Sequence, residues 1–105
     1  MPGVDFDAIR SAVSMSQVLE LIGFRPTSRR GPQLRGACPL HESSTRSRSR
    51  TFSVNLASNR FYCFRCQSHG NQIELWAAMR KTTVYTAALE LCDRLGVEIP
   101  WLHRG

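Results

Sequence analysis

Lysine is almost absent from this 105-residue chain: 13 of its 14 basic side chains are arginine, and only Lys81 departs from the rule. Acidic residues are missing where the arginines crowd. Residues 25–65 hold nine arginines against a single acid, Glu42, for a local charge of +8, while the rest of the chain carries −2. Long apolar runs are absent as well; stretches such as residues 75–79 last only a few positions, too short to cross a membrane. Asp5 and Asp7 stand where a basic n-region and an apolar core would be, so no secretory signal is expected and a reducing cytoplasm is the expected setting. No acidic cluster exists to hold magnesium, which argues against catalysis by this chain alone. No internal repeat is visible, and the length leaves room for one domain, residues 1–105.

The side chains that are present, 42% apolar and 21% charged, are those of a folded globular protein. So small a core stabilises only modestly, and a metal cross-link would be a natural addition. The net charge is +6 and the pI near 9.9. Arginine makes bidentate phosphate contacts and stacks on bases, so the basic middle segment points to a nucleic-acid partner. The bland alternative is a solvated, arginine-biased surface.

Two short helices are expected over residues 5–22. Phe6, Ile9 and Val13 share a face of the first, with Asp5 as N-cap; Val18, Leu21 and Ile22 mark the second, capped by Ser14 or Ser16 and stopped by Gly23. Pro26, Gly31, Pro32 and Gly36 break residues 24–38 into short strands around a turn at 29–32. Residues 43–50 contain no apolar side chain and read as an exposed loop. Phe52, Val54 and Leu56 alternate with Ser53 and Asn55 as in a half-buried strand, and residues 60–63 return as its hairpin partner. Asn71 caps a helix with Ile73, Trp76 and Ala77 on one face. Thr82 or Thr83 starts the last helix, with Val84, Ala88, Leu91 and Leu95 inward and Gly96 at its end. Helices over 5–22, a sheet within 24–66 and helices over 71–96 make an α+β arrangement.

The sharpest motif is Cys38-Pro-Leu-His41 followed, after 21 residues, by Cys63-Phe-Arg-Cys66. Two ligand pairs, each with a two-residue gap, have the spacing of a tetrahedral zinc site, because the gap lets a tight turn aim both side chains at one ion. Two such knuckles at the tip of a small antiparallel sheet make a zinc ribbon. Three thiolates and one imidazole would close the coordination, which is the pattern of a single structural Zn2+. His69 is the alternative fourth ligand through its own two-residue gap from Cys66. Cys92 is set apart, on the apolar stripe of the last helix, and His103 is expected to be solvated. A redox role for Cys63 and Cys66 would need a helix N-terminus in a βαβ unit, and no such unit is legible.

These residues resemble the N-terminal zinc-binding domain of bacterial DnaG-type DNA primases. The likeness rests on Cys38-Pro-Leu-His41, Thr51-Phe52-Ser53-Val54, Phe61-Tyr62-Cys63-Phe64-Arg65-Cys66 and Gly70-Asn71, and extends to Arg35-Gly36, Ala87, Leu91 and Gly96, covering about residues 6–99. The chain departs from the family in the longer segment 42–50, in His69-Gly70 where a glycine pair is usual, and in Asn71 where an acid is usual. A looser likeness links it to stand-alone zinc-finger proteins found near mobile elements. The resemblance implies Cys38, His41, Cys63 and Cys66 as zinc ligands and a role in engaging single-stranded template DNA. It also implies that polymerising chemistry belongs to a separate magnesium-binding domain.

The expected function is therefore a non-catalytic, zinc-dependent module that recognises single-stranded DNA for primer synthesis in the bacterial cytoplasm, beside the nucleoid. Arg35, Arg60 and Arg65 would meet phosphates, Tyr62 and Phe64 would stack on bases, and Arg46, Arg48 and Arg50 would add a salt-sensitive contact. Phe52, Phe61 and Trp76 are expected in the core. The partner supplying catalysis would be a primase catalytic domain; a protein-interaction ribbon contacting a helicase or transposase is the alternative.

Overall fold

A computed structural model describes residues 3–40 and 51–102. The expected Ser/Arg loop, and with it His41, Arg46, Arg48 and Arg50, lies outside the described residues, as does His103.

Local signals set the helix ends. In α1 (Phe6–Ala12), the Asp5 carboxylate accepts the Ala8 N–H at 3.1 Å. In α2 (Met15–Ile22), Ser14 and Gln17 form a reciprocal capping box, and Gly23 closes the helix at φ +72°, a conformation glycine takes without a Cβ penalty. Five strands follow: β1 (Ser28–Arg30), β2 (Gln33–Gly36), β3 (Phe52–Asn55), β4 (Arg60–Cys63) and β5 (His69–Asn71). Helices α3 (Gln72–Arg80) and α4 (Val84–Leu95) complete the order, capped by Asn71 and Thr83.

The strands form one antiparallel meander in the order β1-β2-β3-β4-β5. Its register separates two faces. Leu34, Val54, Phe61 and Gly70 stand in one row, and Gly36, Phe52 and Cys63 in another; all are buried. Arg35, Ser53, Tyr62 and His69 form a row on the opposite face, and Arg30, Gln33, Asn55, Arg60 and Asn71 the next. The inner rows join Ile9, Val13, Met15, Val18, Ile73, Leu75, Trp76 and Leu91 in a single core. Gly36 is dictated by packing: a Cβ there would sit 2.9 Å from the Phe24 ring, which meets Phe52 edge-on at 5.4 Å.

Three expectations change. Strand β5 was not anticipated, because His69-Gly70-Asn71 carries no apolar alternation and has residues depleted in strands; only pairing to β4 defines it. Val84 is 40% exposed rather than inward. The buried stripe of α4 is Ala87, Ala88, Leu91 and Cys92, and Val84 sits in the first turn beside the exposed residues Lys81 and Thr83. Leu56 leaves β3 and is half-buried, its N–H bonded to the Pro32 carbonyl at 2.9 Å.

Long-range polar contacts join the layers. Gln72 is buried at 1% exposure, and its amide donates to the carbonyls of Val13 at 2.7 Å and Arg10 at 3.1 Å, capping the end of α1 from α3. Asn59, at φ +54°, accepts the Met15 N–H at 2.9 Å and so ties the β3–β4 turn to α2. The two ends of the described chain meet where Val4 bridges Trp101 and Leu102 donates to the Gly3 carbonyl at 2.8 Å.

Because the buried Gln72 amide serves two backbone carbonyls at the end of α1, Gln72→Ala should lower unfolding free energy by about 1–3 kcal/mol, seen as a fall of several degrees in thermal midpoint. An unchanged midpoint would show that α1 ends without this tertiary cap.

Candidate metal centre

Register brings the cysteines together. Cys63 is the last residue of β4, opposite Phe52, which in turn faces Gly36; Cys38 follows two residues after Gly36 on the exit of β2. Past Cys63 the chain turns sharply. The Cys63 carbonyl accepts the Gln67 N–H at 2.9 Å, and its N–H donates to the Ser68 carbonyl at 2.8 Å, with Gln67 at φ +61°. Within that turn the Cys66 N–H reaches the Cys63 sulfur at 3.4 Å. The Sγ atoms of Cys38, Cys63 and Cys66 all lie within 4.8 Å of one another.

The three thiols differ in surroundings. Cys38 and Cys63 are fully buried, whereas Cys66 is exposed. Burial pushes the Cys38 thiol up to about 12, and the sulfur atoms of Cys63 and Cys66 add to the rise against an opposing hydrogen bond with the Leu40 backbone. At Cys66 desolvation is the largest single influence and also raises the thiol. Hydrogen bonding with the Ser68 side chain and backbone, Cys63 and Cys38 outweighs it, bringing Cys66 down to about 7. Three unbridged sulfur atoms converging at a strand end are the donor set of a thiophilic cation such as zinc, so the residues present fit that ion.

The described residues contribute three donors to this cluster. His69 is not among them: its Nδ1 lies 3.1 Å from the Gln67 carbonyl, and its ring stacks on Tyr62 with centroids 6.0 Å apart. Cys92 is remote in the α4 core, where burial raises its thiol. Cys63 ends a strand and Cys66 occupies a turn, so neither has the helix N-terminus of a thioredoxin-like pair.

Beside the cysteines, the outer face carries an arginine–aromatic group. Phe64 is 60% exposed and Tyr62 39%. Their rings meet edge-on at 5.0 Å, and the Arg35 guanidinium lies 4.9 Å from the Phe64 centroid. Arg65 is exposed in the same turn, and Arg60 lies at the opposite end of β4. Sequence reasoning missed His69 and Arg30 on this face; the pairing of β5 and β1 is what aligns them with Tyr62 and Arg60. Phe52, Phe61 and Trp76 are buried, as expected.

Comparison with known proteins gives a consistent result. The CHC2 zinc finger family, the zinc ribbon of DnaG, matches residues 3–104. A DNA primase of Synechocystis is 30% identical over 98 residues, covering 92% of this chain and 15% of that protein. A DNA primase of Treponema pallidum is 32% identical over 94 residues, covering 89% and 14%. The crystal structure of the Aquifex aeolicus primase, comprising zinc-binding and RNA polymerase domains, superposes with a TM-score of 0.73 at 26% identity, covering 91% of this chain and 22% of that one. The chain thus spans about 15% of the length of its curated relatives.

Zinc loading should raise the thermal midpoint, and chelation or Cys63→Ser should lower it and release the metal, whereas Cys92→Ser should retain metal by mass spectrometry. Unchanged stability after complete chelation would overturn a structural role. Since each ligating thiol must lose its proton, uptake should release protons at neutral pH, where Cys38 is protonated, and should weaken as pH falls, more steeply below about 7 where Cys66 is protonated as well. Calorimetry in buffers of different ionisation enthalpy measures that release.

Proposed function

From the premise that this chain belongs to the CHC2 zinc-finger family of DnaG-type primases, we propose that it is a one-zinc module that recognises single-stranded template DNA, with primer synthesis carried out by a separate catalytic domain. Cys38, His41, Cys63 and Cys66 would hold the ion. Bound there, zinc supplies a cross-link between the two knuckles and no open position for hydrolysis. The whole of residues 1–105 would then act as one folding unit, in the bacterial cytoplasm beside the nucleoid. Among the described residues no helix is long and apolar enough to cross a membrane.

The observation that carries this reading is the composition of the outer sheet face. Its rows hold Arg30, Arg35, Arg60, Tyr62 and His69 among neutral polar residues, with no acidic side chain, and Phe64 continues them into the cysteine turn. An acid-free basic surface attracts phosphate, and exposed rings give bases a stacking platform that tolerates many sequences. Arg35 meets both needs, since its charge lies over the Phe64 ring while remaining on the phosphate-attracting face. Arg65 would extend the surface past the turn, and Arg46, Arg48 and Arg50 would extend it along the segment after His41. A catalytic centre is not part of this proposal: the relatives are several times longer, and the chemistry is assigned to what lies beyond the matched segment.

Anisotropy with a labelled single-stranded oligonucleotide should show affinity falling steeply with salt. Arg60→Ala with Arg65→Ala should flatten the log–log slope by about 0.7 per arginine. Tyr62→Ala and Phe64→Ala should each cost about 1–3 kcal/mol with little change in that slope. Salt-independent binding, or none by the zinc-loaded protein, would favour a protein-interaction ribbon instead.

A further inference from the structure

On the far side of the sheet end from the cysteines, a cleft of about 400 Å³ opens between α1, the β3–β4 turn and the start of α3. It is lined by Arg10, Ser58, Asn59, Arg60, Asn71 and Gln72. That lining has two guanidinium groups, three carboxamides and a hydroxyl, and no acid. Arg10 pairs with Asp7 one turn earlier on α1, but Asp7 is exposed and does not line the cleft. Arg60 and Asn71 face each other across β4 and β5, so the wall they form is as fixed as the sheet.

The carboxamides are only partly used. Asn59 spends its oxygen on the Met15 N–H and Asn71 spends its oxygen on the Glu74 N–H, leaving both NH2 groups as donors. Gln72 is the reverse case. Its NH2 is committed to the carbonyls of Arg10 and Val13, while Oε1 is buried with no hydrogen-bond partner among the described residues. Gln72 therefore fixes the floor of the cleft and presents no free polar group to it. The volume is in the range of small-ligand sites and exceeds the needs of a lone anion.

We propose that this cleft holds a nucleotide, its phosphate between Arg10 and Arg60 and its base edge against the carboxamides of Asn59 and Asn71. Guanidinium forks match phosphate oxygens, and the NH2 groups of Asn59 and Asn71 can donate to the acceptor atoms of a base edge. The nucleotide is either free or the end of a strand lying on the outer face, and both present the same chemistry. The cleft shares Arg60 with that face, whereas Arg10 and Ser58 belong to the cleft alone, so the two sites can be tested apart.

The test is titration of the zinc-loaded protein with deoxyadenosine monophosphate, followed by amide NMR. The expected result is a saturable shift of the amides at Ser58, Asn59, Arg60, Asn71 and Gln72, with deoxyadenosine and inorganic phosphate each binding more weakly. Arg10→Gln should raise Kd about tenfold, the loss of one charge-assisted contact. Ser58→Glu, in an exposed turn, should weaken binding similarly by repelling phosphate, and dispersed spectra of both variants verify their folding. Displacement by an oligonucleotide assigns the site to a strand terminus; simultaneous binding assigns it to a free nucleotide. Oligonucleotide binding lost while the mononucleotide still binds would overturn the template reading alone. No saturable shift, or an Arg10→Gln affinity equal to the unaltered protein's, would overturn this site.

Discussion

Side chains in an antiparallel sheet alternate between faces, and here that alternation runs in one phase through all five strands. The core, the cysteine cluster and the outer face all depend on it. A one-residue slip of β4 would bring Tyr62 into the core and expel Phe61 and Cys63, destroying the cluster and the hydrophobic layer together. Register is strongly specified because one face is apolar and the other polar. Gly36 adds a steric lock, since any larger residue would collide with Phe24.

The cysteines occupy the end of the sheet, where register alone no longer holds the chain. Two of the three sulfur atoms are buried, and ionised thiolates in that setting are costly without a cation. A metal cross-link would offset this cost and would fasten the exit of β2 to the exit of β4, beyond the last strand pair. Phe64 and Arg65 lie between Cys63 and Cys66, so the shape of that turn also determines how the outer face ends. In the proposed function, stability and recognition are therefore coupled through the same few residues. The tight turn presents an exposed ring and a cation to solvent because hydrogen bonds linking Cys66, Gln67 and Ser68 to Cys63 close it.

Helices α1, α2 and α3 do more than cover the inner rows. Gln72 and Asn59 reach across elements to satisfy backbone groups of α1 and α2, and both border the cleft at the other end of β4. The sheet thus has a thiol-rich end and a carboxamide-rich end, with Tyr62 and His69 on the solvent side between them and Arg60 at the second end. Membership of the primase zinc-finger family accounts for the first end, while the composition of the second supports a separate nucleotide contact.

Much of this was legible in the chain because it rests on short-range physics. Asp5, Ser14, Asn71 and Thr83 cap helices through atoms three residues away, Gly23 and Gly96 end them through φ, and the alternation of Phe52 and Val54 declares a strand by itself. The cysteine spacing and its flanks were enough to indicate the family and the expected metal. Tertiary structure decided what depends on residues distant in sequence. β5 exists only as a partner for β4, and its formation places His69 against Tyr62 rather than with the thiols. Val84 was placed by the exposed α3–α4 turn and not by its helical period. Gln72 looks like an ordinary polar residue in a first helical turn, yet packing buries it against the end of α1, about 60 positions away along the chain. Local pattern specifies which elements form, but pairing and burial specify which side chains meet, because those contacts are made between segments that no sequence window contains.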